Sequence, residues 1–106
     1  MTGQGHPRAT YQRAIERGNL LVAEATLREL GRPSLCELLE LTILIAERDP
    51  RRHPKVAARW LLRYLEARDD STIDDASMVA ASLAALGGDR HAEAAQALRA
   101  VSKLVR

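Results

Sequence analysis

The chain's densest chemistry-bearing stretch is Arg51-Arg52-His53-Pro54-Lys55, followed by Arg59 and Arg63. Lys55, Arg59 and Arg63 recur every fourth residue, so on a helix they form one stripe. Such a stripe can track a phosphate backbone, each neutralised phosphate strengthening binding in a salt-dependent way. Trp60 and Tyr64 invite a reading in which aromatic and cationic side chains act together. Helical periodicity separates them, because Val56, Ala57, Ala58, Trp60, Leu61, Leu62, Tyr64 and Leu65 fill the remaining, apolar arc. Trp60 and Tyr64 are therefore expected in the core, with this helix at its centre. The basic residues are the narrow strip left to water, interrupted by Glu66. The plain reading is a solvated face. The functional alternative is a nucleic-acid-associated accessory surface made of Arg51, Arg52, Lys55, Arg59 and Arg63.

The other reactive side chains form no recognisable site. His53 and His91 each stand at the entrance of a helix, but zinc needs three or four ligands and no third has the right spacing. Capping or packing is the expected role of both. Cys36 sits in a first helical turn, where a thiol pKa can fall, yet no local base supports a nucleophile. A buried or half-buried small residue is expected there. Asp69, Asp70, Asp74 and Asp75 cluster without the spacing of a calcium loop. A helix-turn-helix DNA reader would use the turn Glu29-Leu30-Gly31-Arg32-Pro33-Ser34. Its recognition helix would then present Glu37, Glu40 and Glu47 to phosphates, which repel them. The expectation is no catalytic residue, no metal, no cofactor and no enzymatic activity.

With 106 residues, 16 basic against 14 acidic and a net charge of +2, the chain reads as one domain, 1–106, without a strong nucleic-acid signature. Lys55 and Lys103 are the only lysines and Phe is absent. The single cysteine permits no internal disulfide, and the opening Met-Thr-Gly-Gln-Gly-His-Pro-Arg-Ala has no apolar signal segment. The longest apolar run, Leu41-Thr-Ile-Leu-Ile-Ala46, is too short to span a bilayer. A cytoplasmic location without membrane association is expected.

Helix signals recur throughout. A disordered tail is expected over 1–9, then a helix over 10–17 that stops at Gly18. Asn19 caps a second helix with seam Leu20, Ala23, Leu27 and Leu30, ended by Gly31 and Pro33. Ser34 and Glu37 make a capping box for a third helix reaching Arg48, with Leu44 isolated on its acidic, outer side. The fourth runs over 54–67 behind Pro54. Thr72, with Asp74 and Asp75 in the first turn, starts the fifth, which reaches Leu86 and stops at Gly87-Gly88. Asp89 is expected to cap the sixth, with Ala94, Ala95, Leu98, Val101 and Val105 inward. The fold class is all-α: five or six helices in antiparallel hairpins, as a short α-solenoid-like stack or an orthogonal bundle.

An offset of 38 residues aligns Ser34 with Thr72, Glu37 with Asp75, Ile45 with Leu83, His53 with His91, Ala57 with Ala95 and Trp60 with Leu98. On these hairpins the chain resembles tetratricopeptide-type α-solenoid units, and Ala14-Ile15-Glu16-Arg17-Gly18-Asn19 onward is similar to the helix–turn–helix of an ankyrin repeat. The Trp-x2-Leu-Gly-x2-Tyr and Thr-Pro-Leu-His signatures are missing, so no family binding residue carries over. In style the whole chain is similar to small Ala/Leu/Arg-rich helical proteins of actinobacteria, a bacterial resemblance that implies no activity.

Two features point to protein partners. From Ala76 to Leu86 there is no charge, and Ser77, Ala80, Ala81, Ser82, Ala84 and Ala85 surround the helix with small side chains, Met78 outermost. Surface helices normally carry a charged face. The expected contact surface is Met78, Ala81, Ser82 and Ala85, with Leu44 as a second exposed apolar residue. The expected function is a non-enzymatic interaction or assembly module, its partner another protein or, by preference, itself as a homodimer.

Overall fold

The computed structural model describes residues 6–105. Six helices follow one another: α1 (Pro7–Glu16), α2 (Leu20–Glu29), α3 (Leu35–Arg48), α4 (His53–Ala67), α5 (Ile73–Ala85) and α6 (His91–Ser102), with no strand among the described residues. The all-α hairpin architecture expected from the sequence is present. Its start is earlier than expected: Pro7 to Ala9 belong to α1, proline fitting a first helical turn because its missing N–H is an orphan there anyway. The rest of the expected tail, residues 1–5, lies outside the described residues.

Local signals set the boundaries. Asn19 accepts a hydrogen bond from the Val22 amide. Ser34 and Thr72 each form a complete capping box, with Glu37 and Asp75 respectively. Gly18, at φ +68°, turns the chain between α1 and α2 in the left-handed region. A Cβ there would stand 2.5 Å from the Arg48 guanidinium, so Gly18 also makes room for the α3 terminus. A further boundary differs. Arg90, not Asp89, occupies the cap position of α6, and no side chain caps it.

Hairpins α3–α4 and α5–α6 close into a ring, because α4 lies against α5 and α3 lies against α6. The ring encloses Leu39, Ala46, Ala57, Trp60, Tyr64, Val79, Leu83, Ala95 and Leu98. Trp60 stacks on Tyr64 with ring centroids 5.6 Å apart, and its indole N–H donates to the Leu35 carbonyl at 3.0 Å. Hairpin α1–α2 docks on the other side of α3, burying Tyr11, Ala14, Ala23, Leu30, Leu41, Leu44 and Ile45 in a second cluster. The hub is therefore α3, which touches α1, α2, α4 and α6. The wide apolar arc of α4 suggested that helix instead, but Leu62, placed on the arc, is 58% exposed.

Candidate functional site

Helix α5 turns Val79 and Leu83 into the ring. Its flanks rest on α4 and α6, and nothing within the described chain covers the side facing away from the core. Ser77, Met78, Ala80, Ala81 and Ala84 are exposed there, Met78 at 58%, while Ser82 and Ala85 are half-buried. Between α5 and α6 runs a shallow groove of 340 Å³, walled by Met78, Ala81, Ser82 and Ala85 on one side and by Ala94 and Ala97 on the other. Its polar end is the two-pronged pair of Arg90 and Glu93, at 2.9 and 3.2 Å. Four of the five residues expected to meet a partner thus converge on one feature.

Leu44, the fifth, does not join them. It is 5% exposed, packed in the cluster that α1–α2 lays on α3. A single-helix projection placed it outward because it lies among Glu37, Glu40, Glu47 and Arg48. The helix is covered from two directions, and two of its acids, Glu37 and Glu40, are drawn off to partners. Arg8 binds Glu37 at 2.8 Å and Arg99 binds Glu40 at 2.7 and 2.8 Å. Burial pushes the Glu37 carboxyl up, but the Ser34 amide and the Arg8 guanidinium outweigh it and hold the group below its usual range.

On the other flank of α5 lies a second apolar groove, of 390 Å³, where Pro54, Ala57, Ala58 and Leu61 of α4 face Ala80, Leu83 and Ala84. His53 closes it. Because a carbonyl only accepts, Nε2 of His53 donates to the Leu83 oxygen at 2.8 Å, and Nδ1 is buried without a partner. This is the packing role expected of His53. His91, its counterpart at the head of α6, is exposed and meets only the Gly88 carbonyl, at 3.3 Å.

The basic stripe divides. Lys55, Arg59 and Arg63 lie exposed on α4 and, among the described residues, have no ion-pair partner; Arg51 is exposed just before the helix. Arg52 is engaged across the fold, donating to Glu24 of α2 at 2.9 and 2.5 Å and approaching Asp49 at 3.7 Å. That hydrogen-bonded pairing holds the Glu24 carboxyl below its usual range. Between α2, α3 and α4 a groove of 300 Å³ has Leu38, Leu41, Thr42, Ile45, Val56 and Trp60 as its floor. Arg59 and Arg63 stand at its mouth, and the Glu24–Arg52 pair at one end. No periodicity in the sequence announces this groove, since three helices contribute to it.

Cys36 departs from expectation. It is exposed, its Sγ 3.4 Å from Ser102 Oγ at the α3/α6 seam. Among the described residues no group of three or more His, Cys, Asp and Glu side chains is arranged to hold a metal ion. No helix is long and apolar enough to cross a membrane.

Fold and surface together define a small all-α helical bundle with one uncovered, charge-free helix face. No protein-family model, curated protein or solved structure matches the chain.

Proposed function

We propose that the protein is a non-enzymatic protein–protein interaction or assembly module that pairs with a second copy of itself through the outer face of α5. The observation that carries this reading is the exposed strip Ser77, Met78, Ala80, Ala81 and Ala84, flanked by apolar grooves on both sides. Small side chains let a second helix approach closely, since interaxial distance follows the residues at the contact. Burying apolar surface stabilises association by about 25 cal/mol per Å². A face with no charge is self-complementary, so a two-fold contact in which each α5 meets the other needs no further matching. Met78 is then the long side chain that enters the partner's α5/α6 groove. Replacing Met78 with Glu or Ala81 with Arg places a charge in that contact. Light scattering at micromolar protein should give a dimer for the parent chain and a monomer for either variant, and an unchanged mass contradicts the reading.

A second reading rests on the unpaired Lys55, Arg59 and Arg63, beside Arg51 and Arg52: a nucleic-acid-associated accessory protein. Its test is binding to single- and double-stranded DNA and RNA across a salt titration. Binding at low salt that Arg59→Glu/Arg63→Glu abolishes supports it. No binding at low salt removes it.

A further inference from the structure

The most exposed large apolar side chain among the described residues is Ile73, at 84%. Its place in the repeat makes this unusual, because Leu35, 38 residues earlier and likewise first in its helix, packs against the ring core. Ile73 also stands among acids. Asp69, Asp70 and Asp74 lie within four residues of it in the chain and are exposed, and the one ion pair of Arg68 among the described residues is with Asp70, at 3.4 Å. Asp75 is committed to the capping box with Thr72. The start of α5 is thus an exposed aliphatic residue in an acidic stretch of chain.

The groove between α2, α3 and α4 has the opposite character. Its floor includes Leu38 and Val56, and its mouth carries Arg59 and Arg63, both exposed and both without an ion-pair partner among the described residues. A space of 300 Å³ accepts one or two aliphatic side chains rather than a long lipid tail. We infer that this groove is a socket for the acid-flanked Ile73 knob of a second copy of the chain. Helix α5 supplies none of the groove's walls, so knob and socket of one molecule do not meet. The occupant comes from another molecule, and the contact is head-to-tail. Such a contact does not close on itself in a pair: each bound copy leaves a free knob at one end and a free socket at the other. It extends the assembly reading with a second contact, in which the knob lies one turn before Ser77 on α5 and the socket lies between α2, α3 and α4, and it is tested with the two-fold contact removed. With α5 pairing two chains and the knob linking pairs, the module would grow into larger arrays. The contact is small and charge-steered, so it weakens as salt rises.

The test uses the full chain carrying Met78→Glu, which removes the proposed two-fold contact and leaves knob and socket intact. Its mass is followed by light scattering to roughly 1 mM protein at about 50 mM and about 500 mM salt, where Debye screening differs severalfold. Mass that grows with concentration at low salt and falls back at high salt is expected. Two further variants are made in that background: Ile73→Asp without the knob, and Arg59→Glu/Arg63→Glu with the mouth reversed. All three positions are exposed, so the fold should survive, and circular dichroism checks it; Ile73→Ser and Arg59→Gln/Arg63→Gln serve if it does not. Each variant alone should remain at monomer mass. Their equimolar mixture should reach twice that mass and stop, because one chain has only a socket and the other only a knob. A Met78→Glu chain that stays monomeric throughout, growth that survives either variant, or a mixture that fails to pair would overturn the inference. The α5 face is judged separately, by comparing the unaltered chain with Met78→Glu at micromolar concentration.

Discussion

Between α3 and α6 the ring is closed by polar chemistry: Arg99 grips Glu40 with both prongs, and Cys36 meets Ser102. Between α4 and α5 it is closed by Pro54, Ala57, Ala58, Leu61, Ala80 and Ala84 over His53, with no ion pair between the two helices. The 38-residue offset makes these seams counterparts. Glu40 corresponds to Met78 and Arg99 to Leu61, so the two ends of this salt bridge have apolar counterparts, and these part ways: Leu61 lines the α4/α5 groove and Met78 the α5/α6 groove. The difference explains where surface is left over. At the α3/α6 seam the long side chains satisfy one another. Their counterparts Leu61 and Met78 line different grooves, and Met78 is left exposed. Two hairpins of similar pattern, one charged and the other apolar at matching positions, leave one seam with its long side chains paired and the other with apolar surface exposed.

Substitutions at positions paired by the 38-residue offset test how alike the two hairpins are. Trp60→Ala and Leu98→Ala empty equivalent places in the ring core. Trp60→Ala should cost about 3–5 kcal/mol and Leu98→Ala about 2–5 kcal/mol in denaturant unfolding, Trp60 the more because its indole bond to Leu35 goes too. Equal costs would say that the ring is energetically symmetric. His53→Ala should cost about 1–3 kcal/mol, since it empties a buried position and takes from the Leu83 carbonyl its shorter hydrogen bond, leaving the one from the Leu86 amide, whereas His91→Ala should stay within about 0.5 kcal/mol. Similar costs for the two histidines would break the comparison.

The ion pairs should matter least. Arg99→Met, cutting the α3/α6 pair, should lose only about 0.2–1 kcal/mol, because both side chains are partly exposed. Glu24 adds a pH dependence. Its carboxyl is held below the usual range by Arg52, so it contributes stability above its unfolded pKa and loses it as pH falls through the lowered, folded value. Acid titration of the unfolding midpoint should therefore be flatter in Glu24→Gln than in the parent chain. Identical pH profiles would show that the Arg52 contact does not couple α2 to α4.

Much of this was legible in residue order, and the reason is local. The capping box at Ser34, the helix start at Thr72, the Asn19 cap and the turn at Gly18 depend on neighbours within four residues, and all appear as expected; the box that Thr72 completes with Asp75 is one the residue order also held. The outward position of Met78 was legible for a related reason: a helix with no charged side must rest on something or remain uncovered. Leu44 and Leu62 show where that reasoning stops. Periodicity gives a direction around one helix axis, while burial depends on what stands in that direction. For Leu44 it is the α1–α2 hairpin, and for Leu62 it is solvent. The Arg52–Glu24 pair and the arginine-mouthed groove were invisible in the same way, since they join helices 28 residues apart.

Light scattering of the unaltered chain beside Met78→Glu, at roughly ten micromolar where a stable two-fold interface is populated, tests the central claim most directly. The account predicts twice the 11.7 kDa chain mass for the unaltered protein and the single-chain mass for the variant, with the same helical circular dichroism from both. A single-chain mass for both, or a dimer that Met78→Glu leaves intact, would contradict it.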